Sequence, residues 1–128
     1  MNRLCLDTSA YSHFRRGHAT VVEAITSARS VFVPAVVLGE LRVGFKLGRR
    51  AAENERALAE FLAASVVEVL DVDDEAASLY ADLVLELRKA GTPLPTNDIW
   101  IAAVAAREGA TIVTYDQHFS EIRRVGVL

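Results

Sequence analysis

Asp7, Glu40, Asp98 and Asp116 are the residues of this 128-residue chain whose type and surroundings could do chemistry. Glu40 lies in a helical pattern, and its neighbours at i−4, i−3, i+3 and i+4 are Val36, Val37, Val43 and Gly44, so the acid falls on an apolar stripe. Charged groups are seldom put there unless paired or bound to a cation. A position at the border of the stripe, with Arg42 or another base as partner, would serve as well. Asp7 closes the run Leu4-Cys5-Leu6, and Asp116 follows Thr111-Ile112-Val113-Thr114; both runs are strand-like. Ligands of a parallel sheet bind beyond the carboxyl ends of its strands, although each of these acids would serve equally as a helix cap or turn residue. Asp98 opens an apolar helical run, where the helix dipole favours an acid whatever its role.

Together the four acids imply more than each does singly. Carboxylates brought to one place repel and raise one another's pKa unless a cation lies among them. Oxygen donors without His or Cys at zinc spacing suit magnesium or manganese; His13, His18 and His118 are scattered and read as surface or supporting residues. A divalent ion in such a site activates a water for attack and steadies the charge on a phosphodiester, so phosphodiester hydrolysis is the expected reaction. Ser9, Thr114 and Asn97 adjoin the acids and can orient them or a water by hydrogen bonding, with capping and turn formation as the other use of each.

The elements that must position these residues alternate. Arg3 to Leu6, Ser30 to Val33, Val66 to Leu70 and Thr111 to Thr114 read as buried strands. Ser9 to Arg15, Ala19 to Ala28, Ala35 to Leu47, Ala51 to Ala64, Asp73 to Ala90 and Asn97 to Glu108 read as helices. The fifth is the clearest: Ala76, Leu79, Tyr80, Leu83, Val84 and Leu87 recur at helical spacing, the first turn is acidic, the last basic, and Gly91 follows. The last, from Ile99 to Ala106, is apolar almost all round and should be buried between other elements. Strands alternating with helices predict an α/β fold with a parallel sheet covered on both faces.

Length predicts one domain over residues 1–128, large enough for a core of its own. The lone Cys5 excludes an internal disulfide and suits a reducing compartment. No stretch reaches the ~18 consecutive apolar residues of a membrane span, and no signal-peptide core precedes Asp7. A cytoplasmic protein without membrane attachment is expected. A net charge of −3 is the opposite of the usual nucleic-acid footprint. It speaks against strong non-specific RNA binding, and not against a nuclease whose acids hold cations.

The same residues carry a resemblance. Leu6-Asp7-Thr8-Ser9-Ala10, Gly39-Glu40-Leu41-Arg42-Val43-Gly44, Asn97-Asp98-Ile99-Trp100-Ile101-Ala102-Ala103 and Thr114-Tyr115-Asp116-Gln117-His118-Phe119 resemble, in order and from end to end, the motifs of the PIN-domain family and, within it, the VapC toxins of bacterial toxin–antitoxin pairs. The resemblance implies a three-layer α/β/α fold with a central parallel sheet of four or five strands. It carries Asp7, Glu40, Asp98 and Asp116 over as an acidic site for magnesium or manganese, with Ser9 and Thr114 in support. It further implies endoribonuclease activity on RNA, a homodimer and a cognate antitoxin protein.

Arg15 and Arg16, on the helix after Asp7, are candidate contacts for backbone phosphates; Lys46, Arg49 and Arg50 are weaker ones, because cations near a helix C-terminus are stabilising anyway. Leu38, Leu41, Phe45, Leu58, Phe61 and Leu62 belong to the core or to a partner surface. A phospho-acceptor receiver domain fits poorly, lacking the acidic pair after the first strand. A haloacid-dehalogenase phosphatase needs an acid where Ser9 stands. A catalytically silent PIN-fold module that binds RNA or protein is the remaining alternative.

Overall fold

The computed structural model describes residues 2–122 and 126–127. Five strands run β1 (Arg3–Leu6), β2 (Ser30–Pro34), β3 (Val67–Leu70), β4 (Thr111–Val113) and β5 (Gly126–Val127), and six helices run α1 (Thr8–Arg15), α2 (Ala19–Thr26), α3 (Ala35–Leu47), α4 (Ala51–Leu62), α5 (Asp74–Ala90) and α6 (Thr96–Glu108). A short 3-10 helix, Gln117–Glu121, follows β4. The strands form one sheet in the order β3-β2-β1-β4-β5, and every neighbouring pair is parallel. Helices flank it in the three-layer α/β/α arrangement.

The order of strands decides where a ligand can sit. The chain moves outward from β1 through β2 to β3, then returns to the other side of β1 with β4, so the winding reverses between β1 and β4. Strand ends at such a switch point leave a crevice between diverging loops. Cys5 pairs with Phe32 on one side and Ile112 on the other, a register that brings the ends of β1 and β4, and hence Asp7 and Thr114, side by side. The Asp7 N–H donates to the Val113 carbonyl at 3.3 Å and extends that pairing by one residue.

Both neighbours of β1 shield it, which explains its unbroken apolar run: Leu4, Cys5 and Leu6 are buried, as are Val31, Phe32, Val33, Ile112 and Val113. Ile101, Ala102, Ala103, Val104 and Ala105 of α6 are buried too. Its small residues let the helix approach its neighbours closely, and α6 packs on α5 and α3. Trp100 departs from the fully buried helix expected: it is half-buried and stacks on Tyr80 of α5, with ring centroids 3.8 Å apart.

Helix ends follow their caps. Asp73 is the N-cap of α5, its side chain accepting from the Ala76 N–H at 2.9 Å, so the helix starts one residue later than its acidic run suggested. Gly91 and Gly109 close α5 and α6 at φ 74° and 63°, a left-handed turn that glycine takes without a Cβ penalty. Helices α2 and α4 stop at Thr26 and Leu62, each two residues short of the expected end. The 3-10 helix and β5 have no counterpart in the expected elements, being too short to show a periodicity. Of the six apolar residues of α3 and α4 named above, Leu38, Leu41 and Leu58 are buried and Phe45, Phe61 and Leu62 pack half-buried against the core. No helix among the described residues is long and apolar enough to cross a membrane.

Candidate metal centre

Asp98, Asp116 and His118 converge. Each offers one ligand atom, and these atoms all lie within 4.8 Å of one another. The His118 ring Nδ1 is 2.9 Å from Asp98 Oδ2 and 3.1 Å from Asp116 Oδ1. Asp98 comes from the first turn of α6, where the exposed helical N–H groups favour an acid. Asp116 is the N-cap of the 3-10 helix and accepts from the His118 backbone N–H at 2.9 Å, which folds the imidazole back over the carboxylates. The capping role and the site role therefore coincide in one side chain.

Asp7, 5% exposed, is the one buried charged or polar residue among those described. It caps α1 through Oδ1, which accepts from the Ala10 N–H at 2.8 Å and the Ser9 hydroxyl at 2.7 Å, while Oδ2 accepts from the Thr114 hydroxyl. Thr114 Oγ1 also accepts from the Asp116 N–H at 2.8 Å, so one hydroxyl connects the acid of β1 to the acid after β4. Glu40, on α3, is held by Thr8 Oγ1 at 2.6 Å and by the Asn97 amide, which donates to Oε2 at 3.3 Å. Arg42 does not pair with Glu40: it binds Glu55 of α4 at 2.8 Å.

The electrostatics place these groups around one space. Burial raises the Asp98 pKa, the His118 hydrogen bond opposes that, and the charges of Asp116 and Glu40 raise it further. The His118 pKa is raised, chiefly by its hydrogen bond to Asp98 and also by the charges of Asp116 and Asp98. Two carboxylates and an imidazole suit a hard or borderline divalent ion, and acids that raise one another's pKa gain from one. On donor chemistry the residues fit magnesium, and manganese better because of the nitrogen.

The structure thus sorts the sequence-derived residues. Asp98 and Asp116 meet directly, whereas Asp7 and Glu40 border the pair and are tied in through Thr114 and Asn97. Ser9, Thr114 and Asn97 each hold an acid. Arg15 and Arg16 lie at the end of α1 away from Asp7 and line a separate pocket of about 220 Å³ with Tyr11, Leu41, Phe45 and Asn54. His118, expected at the surface or in a supporting role, is there: its side chain is half exposed and hydrogen-bonds Asp98 beside Asp116, a position from which it can also serve as a ligand. Thr8, which holds Glu40, is the contact that nothing in the sequence singles out.

Residues 4–125 match the PIN domain family. Ribonuclease VapC5 of Mycobacterium tuberculosis is 35% identical over 117 residues, covering 91% of this chain and 85% of that one. Among solved structures, VapBC2 from Rickettsia felis bound to a DNA fragment from its promoter superimposes with a TM-score of 0.84 at 26% identity, covering 98% of this chain and 96% of that one. VapBC-5 of Mycobacterium tuberculosis, a member of the VapBC family of toxin-antitoxin systems, superimposes at 0.76 with 31% identity, covering 100% and 98%. A family match over nearly the whole length, together with a 35% identical relative, establishes that this chain belongs to the PIN-domain family, in its VapC branch.

Proposed function

We propose that this chain, acting as a single domain, is a metal-dependent endoribonuclease, the toxin of a toxin–antitoxin pair, hydrolysing RNA phosphodiester bonds. The observation that carries the reading is the convergence of Asp98, Asp116 and His118 beside Asp7 and Glu40, in a chain whose relative is named a ribonuclease. Asp98 and Asp116 would hold magnesium or manganese, with Asp7 and Glu40 completing the acidic surround and His118 available as a nitrogen donor. When bound, such a cation supplies activation of the attacking water and charge compensation at the phosphodiester.

The chain's own residues do the rest. Ser9 and Thr114 hold both oxygens of Asp7, and Thr8 and Asn97 hold Glu40, so these two acids are oriented by the fold itself. Glu40 is the acid best suited to accept a proton from water, because it neither caps a helix nor meets His118. Arg15 and Arg16 supply positive charge for backbone phosphates leading away from the site. The VapBC complexes among its structural neighbours support a cognate antitoxin as partner, and a cytoplasmic homodimer is the form we assign to the free toxin.

Cleavage of a mixed cellular RNA pool by purified protein tests the reading, with magnesium or manganese, an EDTA control and an Asp7→Asn variant. Cleavage that needs both metal and Asp7 is the expected result. Cleavage surviving either change, or none from a folded, antitoxin-free preparation, would overturn it.

A further inference from the structure

One feature next to the acids has no part in holding them. The His13 ring stacks face to face on Tyr115, with centroids 3.7 Å apart and planes within 6°, and His18 meets His13 edge-on at 4.4 Å. Tyr115 stands between Thr114 and Asp116, so its backbone belongs to the acidic site. Ser9 fixes the assembly: its hydroxyl accepts from the Tyr115 N–H at 2.9 Å and donates to Asp7, and its carbonyl accepts from His13 Nδ1 at 2.8 Å. Asp7, Tyr115 and His13 are thereby held in one frame by a single residue.

His13 covers one face of the Tyr115 ring. The residue nevertheless keeps 46% of its surface exposed, and besides the stacked His13 its ring meets His18 edge-on at 6.4 Å. A clasp between α1 and the loop after β4 would need only the face that His13 occupies. An aromatic ring left nearly half exposed, backed by a second ring and fixed beside carboxylates, is an arrangement on which an unpaired base can stack, since every base presents a π-face and stacking asks for no particular sequence.

Resting on the ribonuclease reading above, we propose that Tyr115, backed by His13, is a stacking platform for an unpaired RNA base next to the scissile phosphate, and so positions the strand over the acids. Tyr115 is a positioning and binding residue in this scheme and moves no proton.

The test uses the full chain with manganese and a short single-stranded RNA, comparing wild type, Tyr115→Phe and Tyr115→Leu, each matched by thermal melting. Tyr115→Leu keeps apolar bulk without a π-face, and its KM should rise about tenfold or more with kcat changed by only a few-fold, while Tyr115→Phe stays near wild type. In an Asp98→Asn background that does not cut, RNA carrying 2-aminopurine beside the cleavage point should be quenched on binding, and Tyr115→Leu should abolish that quench. A wild-type chain that cuts RNA, with KM and quench unchanged in Tyr115→Leu, would overturn the platform alone. Quenching lost in Tyr115→Leu without any cutting by wild type would support the platform and overturn the nuclease. A wild-type chain that neither binds nor cuts RNA would overturn both.

Discussion

The Thr114 hydroxyl, at the end of β4, donates to the carboxylate of Asp7 at the end of neighbouring β1. The same oxygen accepts from the Asp116 N–H at 2.8 Å, so its loss would remove a hydrogen bond from Asp7 Oδ2 and another from the Asp116 backbone at once. Thr114→Val keeps the shape and removes the hydroxyl. Its manganese-dependent cleavage should fall about 10- to 100-fold, the usual effect of removing a group that orients metal ligands, while Thr114→Ser stays within a few-fold. Initial rates across a manganese titration check both.

Asp98 shows the cost of gathering acids. Its pKa is raised by burial first and then, against the His118 hydrogen bond, by Asp116 and Glu40, so the ionised carboxylate is less stable folded than unfolded. The contribution of Asp98 to stability is therefore fullest below the unfolded value near 3.8 and declines as pH rises through the raised folded value. At neutral pH, in EDTA, Asp98→Asn should melt a few degrees above wild type, and saturating manganese should stabilise wild type alone. A variant that melts lower in EDTA would contradict the electrostatic account.

The parallel sheet and the acids were legible because their signals are local. An unbroken apolar strand, a helix with acidic and basic ends and a Glu on an apolar stripe each lie within a few residues of sequence. The division of the four acids was not, because it depends on register: Asp98 reaches Asp116 only through how α6 and the 3-10 helix sit, and Asp7 turns both oxygens toward Ser9, Ala10 and Thr114. The His118 placement rests on a 3-10 turn too short for periodicity to reveal. The stack of His13 on Tyr115 joins residues about a hundred positions apart, and nothing in either segment announces it.

Asp73 links a helix cap to the neighbouring helix. Its carboxylate caps α5 at Ala76 and binds Arg107 of α6 at 2.8 Å, and Arg107 also donates to the Asp71 carbonyl at 2.8 Å. The backbone hydrogen bond first, then Arg107, lowers its pKa. A lowered folded value means that the ionised cap stabilises the protein above the unfolded pKa near 3.8 and that this contribution disappears as pH falls through the folded value. Melting temperature against pH should drop more steeply on the acid side for wild type than for Asp73→Asn, and the two curves should converge at the lowest pH.

Cys5 is fully buried at the centre of the sheet between Phe32 and Ile112. Burial pushes its thiol pKa up, with the charges of Asp7 and Glu108 adding and Arg107 opposing, so the thiolate is disfavoured in the folded chain. Iodoacetamide at pH 8 should leave native protein unlabelled and react at a rate that follows global unfolding in urea. The unfolded thiol ionises near 9, and the folded one does so only at higher pH, so stability should decline as pH rises beyond about 9, a slope that Cys5→Ala removes. Cys5→Ser puts a hydroxyl at a fully buried position among apolar strand residues and should cost about 1–3 kcal/mol in urea denaturation. Rapid labelling of native protein would show instead that the sheet opens around β1 without global unfolding, and would place the acid-bearing end of the sheet among the less stable parts of the molecule.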